Sequence, residues 1–194
     1  RVLVEEGAEV LARGSTGGGE IYAGGGWQGS DPEIYEATGV VISNGALLDA
    51  SATESGDGGT VVAWSDVTDP DSVTRAYGTF LARGGMNGGD GGRIETSGHW
   101  LDTAGVTGGA IAPHGDAGIW LFDPYNVTIT TATSGGSFSS GTWVATGNDS
   151  TILNTTINGL LEGGTSVNVT TAGAGTQNGN ITVSSAISKG SGDT

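Results

Sequence analysis

The chain alternates apolar and small residues in short runs, and this pattern recurs three times. Each copy begins with a glycine, passes through one such run, crosses a glycine-rich stretch and enters a second run after a Gly-Gly pair. The copies begin at Gly7, Gly45 and Gly78, and their Gly-Gly pairs are Gly18–Gly19, Gly58–Gly59 and Gly91–Gly92. Alternation with a period of two is typical of β-strands, and repeats at this spacing are typical of stacked units. The pattern predicts an all-β fold of the β-solenoid type.

Aligning the copies predicts which side chains share a column in the interior. The inward columns are Val10, Leu48 and Phe80; Ala12, Ala50 and Ala82; Ile21, Val61 and Ile94; and Ala23, Ala63 and Thr96. The outward positions, which we expect to be exposed to water, are Leu11, Asp49 and Leu81; Glu20, Thr60 and Arg93; and Tyr22, Val62 and Glu95. Equivalent residues should therefore lie directly over one another.

The chain divides into two regions by composition. Residues 1–125 are acidic and glycine-rich, and two polar inserts, 25–33 and 66–72, each contain an Asp-Pro that predicts a loop projecting from one side. Residues 126–194 are rich in threonine, serine and asparagine, and we expect them to continue the solenoid with strands at 126–131, 142–146, 166–171 and 179–184. One short helical turn is expected within 151–161.

Charge and composition exclude several classes of partner. The 194 residues carry a formal charge of −15, and residues 1–125 hold 18 of the 21 acidic groups. Such a surface repels nucleic acid and anionic membranes. The chain has no cysteine and no apolar run long enough to span a bilayer, so we expect no membrane insertion. Its first and last residues fall within strand and glycine-rich patterns, which indicates a piece of a longer polypeptide.

Only a few residues are candidates for binding. Trp27 lies in a glycine-rich loop and is the best candidate for a ligand contact, and the acidic cluster of Asp66, Asp69 and Asp71 could attract cations. A solvated loop explains that cluster better, so no metal and no cofactor is predicted. Five sequons mark possible glycosylation, at Asn126, Asn148, Asn154, Asn168 and Asn180.

Catalysis is the main alternative to a structural role. Parallel β-helices can carry carboxylate pairs that cleave polysaccharides, and Asp49, Asp66, Glu95 and Asp102 could in principle converge on such a site. No Asp-Asp pair and no neighbouring group of lysines or arginines marks a site for a sugar acid. Two histidines without any cysteine give little support to a nucleophilic triad or a zinc site. We therefore expect no enzyme and assign no catalytic residue.

Three segments resemble filamentous-haemagglutinin-type exoproteins, the bacterial adhesins exported by two-partner secretion. They are residues 91–98 (GGRIETSG), 120–129 (WLFDPYNVTI), and 164–171 (GTSVNVTT) followed by 179–183 (GNITV). The resemblance implies a right-handed parallel β-helix, export through an outer-membrane secretion partner, and a place on the bacterial cell surface or in the medium. The Asn-Pro-Asn motif typical of the family's secretion domain is missing, which indicates shaft rather than secretion signal.

The function expected from this resemblance is structural. The chain would be a shaft segment that holds binding regions away from the cell and meets host-cell, carbohydrate or neighbouring-filament surfaces. Two alternatives stay open: a carbohydrate-active β-helix enzyme, and a module that acquires haem or a haem carrier through one of its inserts.

Overall fold

Three parallel sheets form the body of the protein. The computed structural model describes residues 1–132, 136–139, 142–145, 150–171 and 179–190. Side chains are described for the same residues except those within 133–149. The first sheet has seven strands, the second four and the third five. Strands β1 to β13 fall into the first, second and third sheets in strict rotation, so the fold is all-β and mostly parallel.

The first sheet contains, in spatial order, β1 (Val2–Val4), β4 (Gly39–Ile42), β7 (Val73–Ala76), β10 (Trp100–Asp102), β16 (Ser150–Leu153), β13 (Val127–Thr130) and β18 (Ile181–Val183). The second contains β2 (Glu9–Leu11), β5 (Leu47–Asp49), β8 (Thr79–Leu81) and β11 (Thr107–Gly109). The third contains β3 (Glu20–Ala23), β6 (Thr60–Trp64), β9 (Arg93–Gly98), β12 (Ile119–Pro124) and β17 (Ser166–Val169). A hairpin of β14 (Gly136–Ser139) and β15 (Thr142–Ala145) and the helix α1 (Asn154–Glu162) complete the elements.

The predicted columns are confirmed by the strand registers. Val10 pairs with Leu48, and Leu48 with Phe80, across β2, β5 and β8. In the third sheet Ile21 pairs with Val61, which pairs with Ile94. Leu48, Phe80, Val61 and Ile94 are fully buried, whereas Val10 is 36% exposed because β2 is the terminal strand of its sheet. Large and small side chains therefore alternate along a shared apolar interior, as expected.

The recurring Gly-Gly pairs lie where neighbouring strands approach too closely for a side chain. A Cβ added at Gly91 would lie 1.9 Å from the Ala110 carbonyl oxygen, and one added at Gly92 would lie 2.1 Å from that of Gly59. Gly59 and Gly118 hold the same position in neighbouring strands and meet the same obstacle. The glycines are thus required by the spacing of the stack.

The rotation of strands breaks in the second half of the chain. β16 pairs with β10 on one side and with β13 on the other, so a later strand is inserted between two earlier ones. The expected strand at 142–146 is present as β15, but it pairs antiparallel with β14 outside the three sheets. Only two residues separate these strands in the sequence, and a connection that short can join only antiparallel neighbours. The expected helical turn is present as the nine-residue helix α1.

Not every outward position is exposed to water. Glu95 and Val62 are fully buried on the outer face of the third sheet, and Thr60 and Asp49 are also buried. The expectation that these positions face water is wrong. Glu95 and Val62 are covered because the first insert folds back onto β6 and β9 instead of projecting from them.

Candidate functional site

The first insert forms a closed loop over the outer face of the third sheet. We call residues 24–37 the Trp27 loop; the Ala37 N–H donates to the Gly24 carbonyl oxygen at 2.6 Å and closes its neck. Trp27 opens a short 3₁₀ turn, Trp27–Gly29, and packs half-buried against an apolar cluster on the sheet. Part of the loop stays in solvent, where Tyr35 is 82% exposed. This loop separates one patch of the sheet from water.

A carboxyl group lies under the Trp27 loop. Glu95 has no exposed surface, and its Oε2 accepts the Gln28 backbone N–H at 2.8 Å while its Oε1 accepts the Ser97 hydroxyl at 2.8 Å. Burial raises the pKa of Glu95 to about 7, and the two hydrogen bonds and the Arg93 charge only partly oppose this effect. The nearby Asp123 raises the pKa further. Glu95 therefore titrates near neutral pH.

Two tryptophans, Trp27 and Trp64, belong to the same covered patch of the third sheet as this carboxyl. The Arg93 guanidinium lies 4.7 Å from the centre of the Trp27 ring, in cation–π geometry, and its Nε donates to the Thr60 hydroxyl at 2.9 Å. Trp64, on the outer face of β6, is buried under the loop with Val62 and Val67, and its indole N–H has no acceptor among the described residues. Burial also raises the pKa of Glu36, at the end of the loop, and the charge of Asp66 adds to the shift.

The acidic residues of the second insert, 66–72, shape its own backbone. Asp66 Oδ1 accepts both the backbone N–H and the hydroxyl of Thr68, at 2.8 and 2.7 Å, and Asp69 Oδ1 accepts the Asp71 N–H at 3.0 Å. Asp71 is exposed, and Asp66 and Asp69 are half-buried. Such bonds are turn-forming interactions of aspartate. Among the described residues, no group of three or more acidic or histidine side chains has the arrangement of a metal site.

The four carboxylates considered for catalysis are not assembled into one groove. Asp49 lies on the second sheet, Glu95 on the third and Asp102 on the first, and Asp66 belongs to the second insert. Asp49 lies 3.6 Å from Arg13 Nε and also accepts the Ser51 N–H. Asp102 accepts the Tyr77 hydroxyl at 2.7 Å. Each of these groups has a structural partner nearby.

The sequons differ in how far their side chains are engaged. Asn126 is half-buried and its Oδ1 accepts the Asn180 N–H at 2.8 Å, and the Asn154 amide donates to the Ala186 carbonyl oxygen at 2.8 Å. Asn168 and Asn180 are exposed. Asn148 lies outside the described residues. Glycosylation at these positions stays a prediction, for which Asn168 and Asn180 offer the most accessible side chains.

Sequence reasoning identified Trp27 and Glu95 separately but not their association. The missed signal is the pair of apolar residues at outward positions of one strand, Val62 and Trp64, since two such side chains require a cover. The nearest polar insert with an aromatic residue, that of Trp27, supplies it. The site is therefore a covered acidic and aromatic patch on the outer face of the third sheet.

Two further findings concern membrane-spanning helices and similarity to known proteins. Among the described residues, no helix has both the length and the apolar character needed to cross a membrane. Compared with known proteins, the chain matches no protein-family model and no curated protein.

Proposed function

We propose that this chain is a shaft segment of a large bacterial exoprotein, wound as a right-handed parallel β-helix. Its place would be the cell surface or the medium, reached through an outer-membrane secretion partner. The observation that carries the proposal is the ladder of equivalent residues, strand over strand, through three sheets that the chain visits in turn. This arrangement builds length from local contacts alone.

The physical basis of the role is mechanical. Each parallel strand satisfies its backbone groups through the strands above and below it, and the apolar columns exclude water along the axis. Each added layer of strands extends the body by about 4.8 Å. A chain built in this way holds its distal regions at a fixed distance from the cell and presents a large acidic surface on the way.

The proposal is tested by placing the chain behind a two-partner secretion domain in a bacterium that carries the matching outer-membrane partner. The chain should reach the outside in a folded, protease-resistant form, and an epitope tag at its far end should stand further from the membrane than in a version lacking residues 39–124. Retention inside the cell, or a tag height that does not change, would contradict the shaft role.

The same material separates the shaft from an enzyme. The secreted chain should not turn over acidic or neutral polysaccharides. Turnover that is lost in a Glu95→Gln variant, with the variant still folded, would replace the proposed role by catalysis at the covered patch.

A further inference from the structure

Helix α1 lies where the second sheet would have its fifth strand. β16 lies beside β10 in the first sheet and β17 lies beside β12 in the third, and α1 connects β16 to β17 in the chain. The second sheet ends one layer earlier, at β11, which α1 contacts. Ile157 and Leu160 of the helix are buried in the shared apolar interior. The helix therefore completes this layer in place of a strand.

The sequence of α1 does not favour a helix by itself. Five of its nine residues, NTTINGLLE, are asparagine, threonine or glycine, which have low helix propensity. Leu153 at the N-cap offers no side-chain hydrogen bond, and the last turn ends on an acidic residue, Glu162, with no basic one. A helix of this length is not stable alone in water. It therefore depends on its contacts with the rest of the protein.

One face of α1 is bonded to the segment formed by residues 186–190. Three side chains spaced four residues apart share this face, and each bonds a backbone group of the segment. The Asn154 amide donates to the Ala186 carbonyl oxygen at 2.8 Å, Asn158 Oδ1 accepts the Ser188 N–H at 2.8 Å, and Glu162 Oε1 accepts the Gly190 N–H. The helix thus bonds every second residue of the segment.

The spacing of these bonds fits an extended segment. Four residues of a helix rise by about 6 Å, and two residues of an extended chain advance by about 6.6 Å. Each step of four along α1 therefore meets each step of two along the segment. In an extended chain the N–H and C=O groups of alternate residues lie on the same side. The groups of residues 186, 188 and 190 accordingly face α1, as they would face a neighbouring strand.

These side chains supply all the backbone hydrogen bonds of the segment within the described part of the chain. No N–H or C=O of residues 186–190 bonds to another backbone group there. All five residues are exposed, and Ile187 keeps 42% of its surface in solvent. The remaining polar contact is a long one of 3.4 Å between the Asn158 amide and the Ser188 hydroxyl. The segment is therefore held by its backbone and only weakly by its side chains.

We propose that the face of α1 formed by Asn154, Asn158 and Glu162 is a docking surface that recognises an extended segment through its backbone, with residues 186–190 as its occupant. The three side chains take the part of the backbone groups that a fifth strand would have offered. The docked segment in turn supports a helix whose own sequence does not favour it. The inference does not depend on the shaft role, because both partners belong to this chain.

Proline substitutions at neighbouring positions test the proposal, since proline has no N–H. Ser188→Pro removes the N–H that Asn158 accepts. Lys189→Pro is the matched control, because the Lys189 N–H bonds no backbone group among the described residues. Hydrogen–deuterium exchange of the 194-residue chain follows α1 through the peptide 154–162, and a peptide from β5, Leu47–Asp49, reports global unfolding. We expect Ser188→Pro to speed exchange of α1 about five-fold, the equivalent of one hydrogen bond, and Lys189→Pro to leave it unchanged.

The Ser188 amide itself separates backbone recognition from side-chain recognition. Asn158→Ala should abolish its protection, whereas Asn158→Asp keeps the accepting oxygen and should preserve it. Ile187→Ala, which changes a side chain but no backbone group, should also preserve it. The proposal is overturned if the two proline variants affect α1 equally, if Asn158→Ala leaves the Ser188 amide protected, or if Ile187→Ala exposes it. Protection that increases with protein concentration would also overturn it, because the occupant would then be the segment of a second copy.

Discussion

Replacing Gly92 by alanine tests the close stacking of strands at a single atom. The added Cβ would lie 2.1 Å from the Gly59 carbonyl oxygen and 2.5 Å from the Gly58 carbonyl carbon. Both atoms belong to the backbone of the neighbouring layer, just before β6, so no side chain can rotate away. The two layers would have to separate by about 1 Å to restore a van der Waals contact.

The cost can be estimated from the contacts that this separation disturbs. Overpacking of a rigid site costs about 1–3 kcal/mol. The shift also weakens two ladder hydrogen bonds, from Arg93 N–H to Gly59 O at 2.9 Å and from Ile119 N–H to Gly92 O at 3.0 Å, each contributing about 1 kcal/mol. We therefore expect Gly92→Ala to lower the free energy of unfolding by about 3–5 kcal/mol.

The assay is urea denaturation followed by tryptophan fluorescence, with Gly159→Ala as the matched control. Gly159 lies in helix α1, and a Cβ added there meets no atom within 4 Å. Because alanine is favoured over glycine in a helix by up to about 1 kcal/mol, the control should be as stable as the unmodified chain or more stable. A Gly92→Ala variant within 0.5 kcal/mol of the control, roughly the resolution of the method, would refute the stacking geometry.

Three further substitutions test separate contacts, each by the same denaturation assay. Phe80→Ala should lower the free energy of unfolding by about 3–5 kcal/mol because the ring is fully buried. Leu81→Ala, on the opposite face of the strand, should lower it by less than about half of that. Equal losses would contradict the assigned faces. Asp90→Ala should lower the free energy of unfolding by about 1 kcal/mol more than Asp90→Asn, because Asp90 Oδ1 accepts a backbone N–H from the next layer. Equal losses in the two variants would show that this hydrogen bond does not stabilise the fold. Tyr77→Phe should cost about 1–2 kcal/mol by removing the 2.7 Å bond to Asp102; an unchanged stability would show that this bond is not needed.

The sequence predicts the repeating part of the fold well because its information is local. A period of two decides which side chains face inward, and the Gly-Gly pairs mark the same point of each layer, so the columns through Leu48, Phe80 and Val61 follow directly. The crowded backbone beside Gly92 explains why each copy of the repeat has a glycine at this position.

The second half could not be ordered in the same way. Threonine and serine are compatible with either face of a strand, so alternation there does not indicate which strands become neighbours. The insertion of β16 between β10 and β13 depends on where the chain returns after the β14–β15 hairpin. No local pattern encodes that return.

The sequence predicted individual residues of the candidate site but not their arrangement. Its residues lie on outward positions, where alternation alone predicts exposure, and their burial depends on how a non-repeating loop folds over the sheet. The ligand contact expected at Trp27 stays a prediction. Its ring packs half-buried against the apolar cluster of the sheet, and Glu95 is covered by the same loop. A loop without a repeat carries too little sequence pattern to reveal this contact in advance.

The central claim, parallel strands stacked in register, is tested most directly by engineered disulfides, since the chain has no cysteine of its own. Thr79 and Thr107 are register partners on β8 and β11, and their hydroxyls lie 2.9 Å apart. A Thr79→Cys, Thr107→Cys chain should form an intramolecular disulfide on mild oxidation, because neighbouring strands have the Cα spacing that the bond requires. A Leu81→Cys, Thr107→Cys chain, displaced along the strand, should stay reduced under the same conditions; cross-linking of the displaced pair, or of neither pair, would contradict the account.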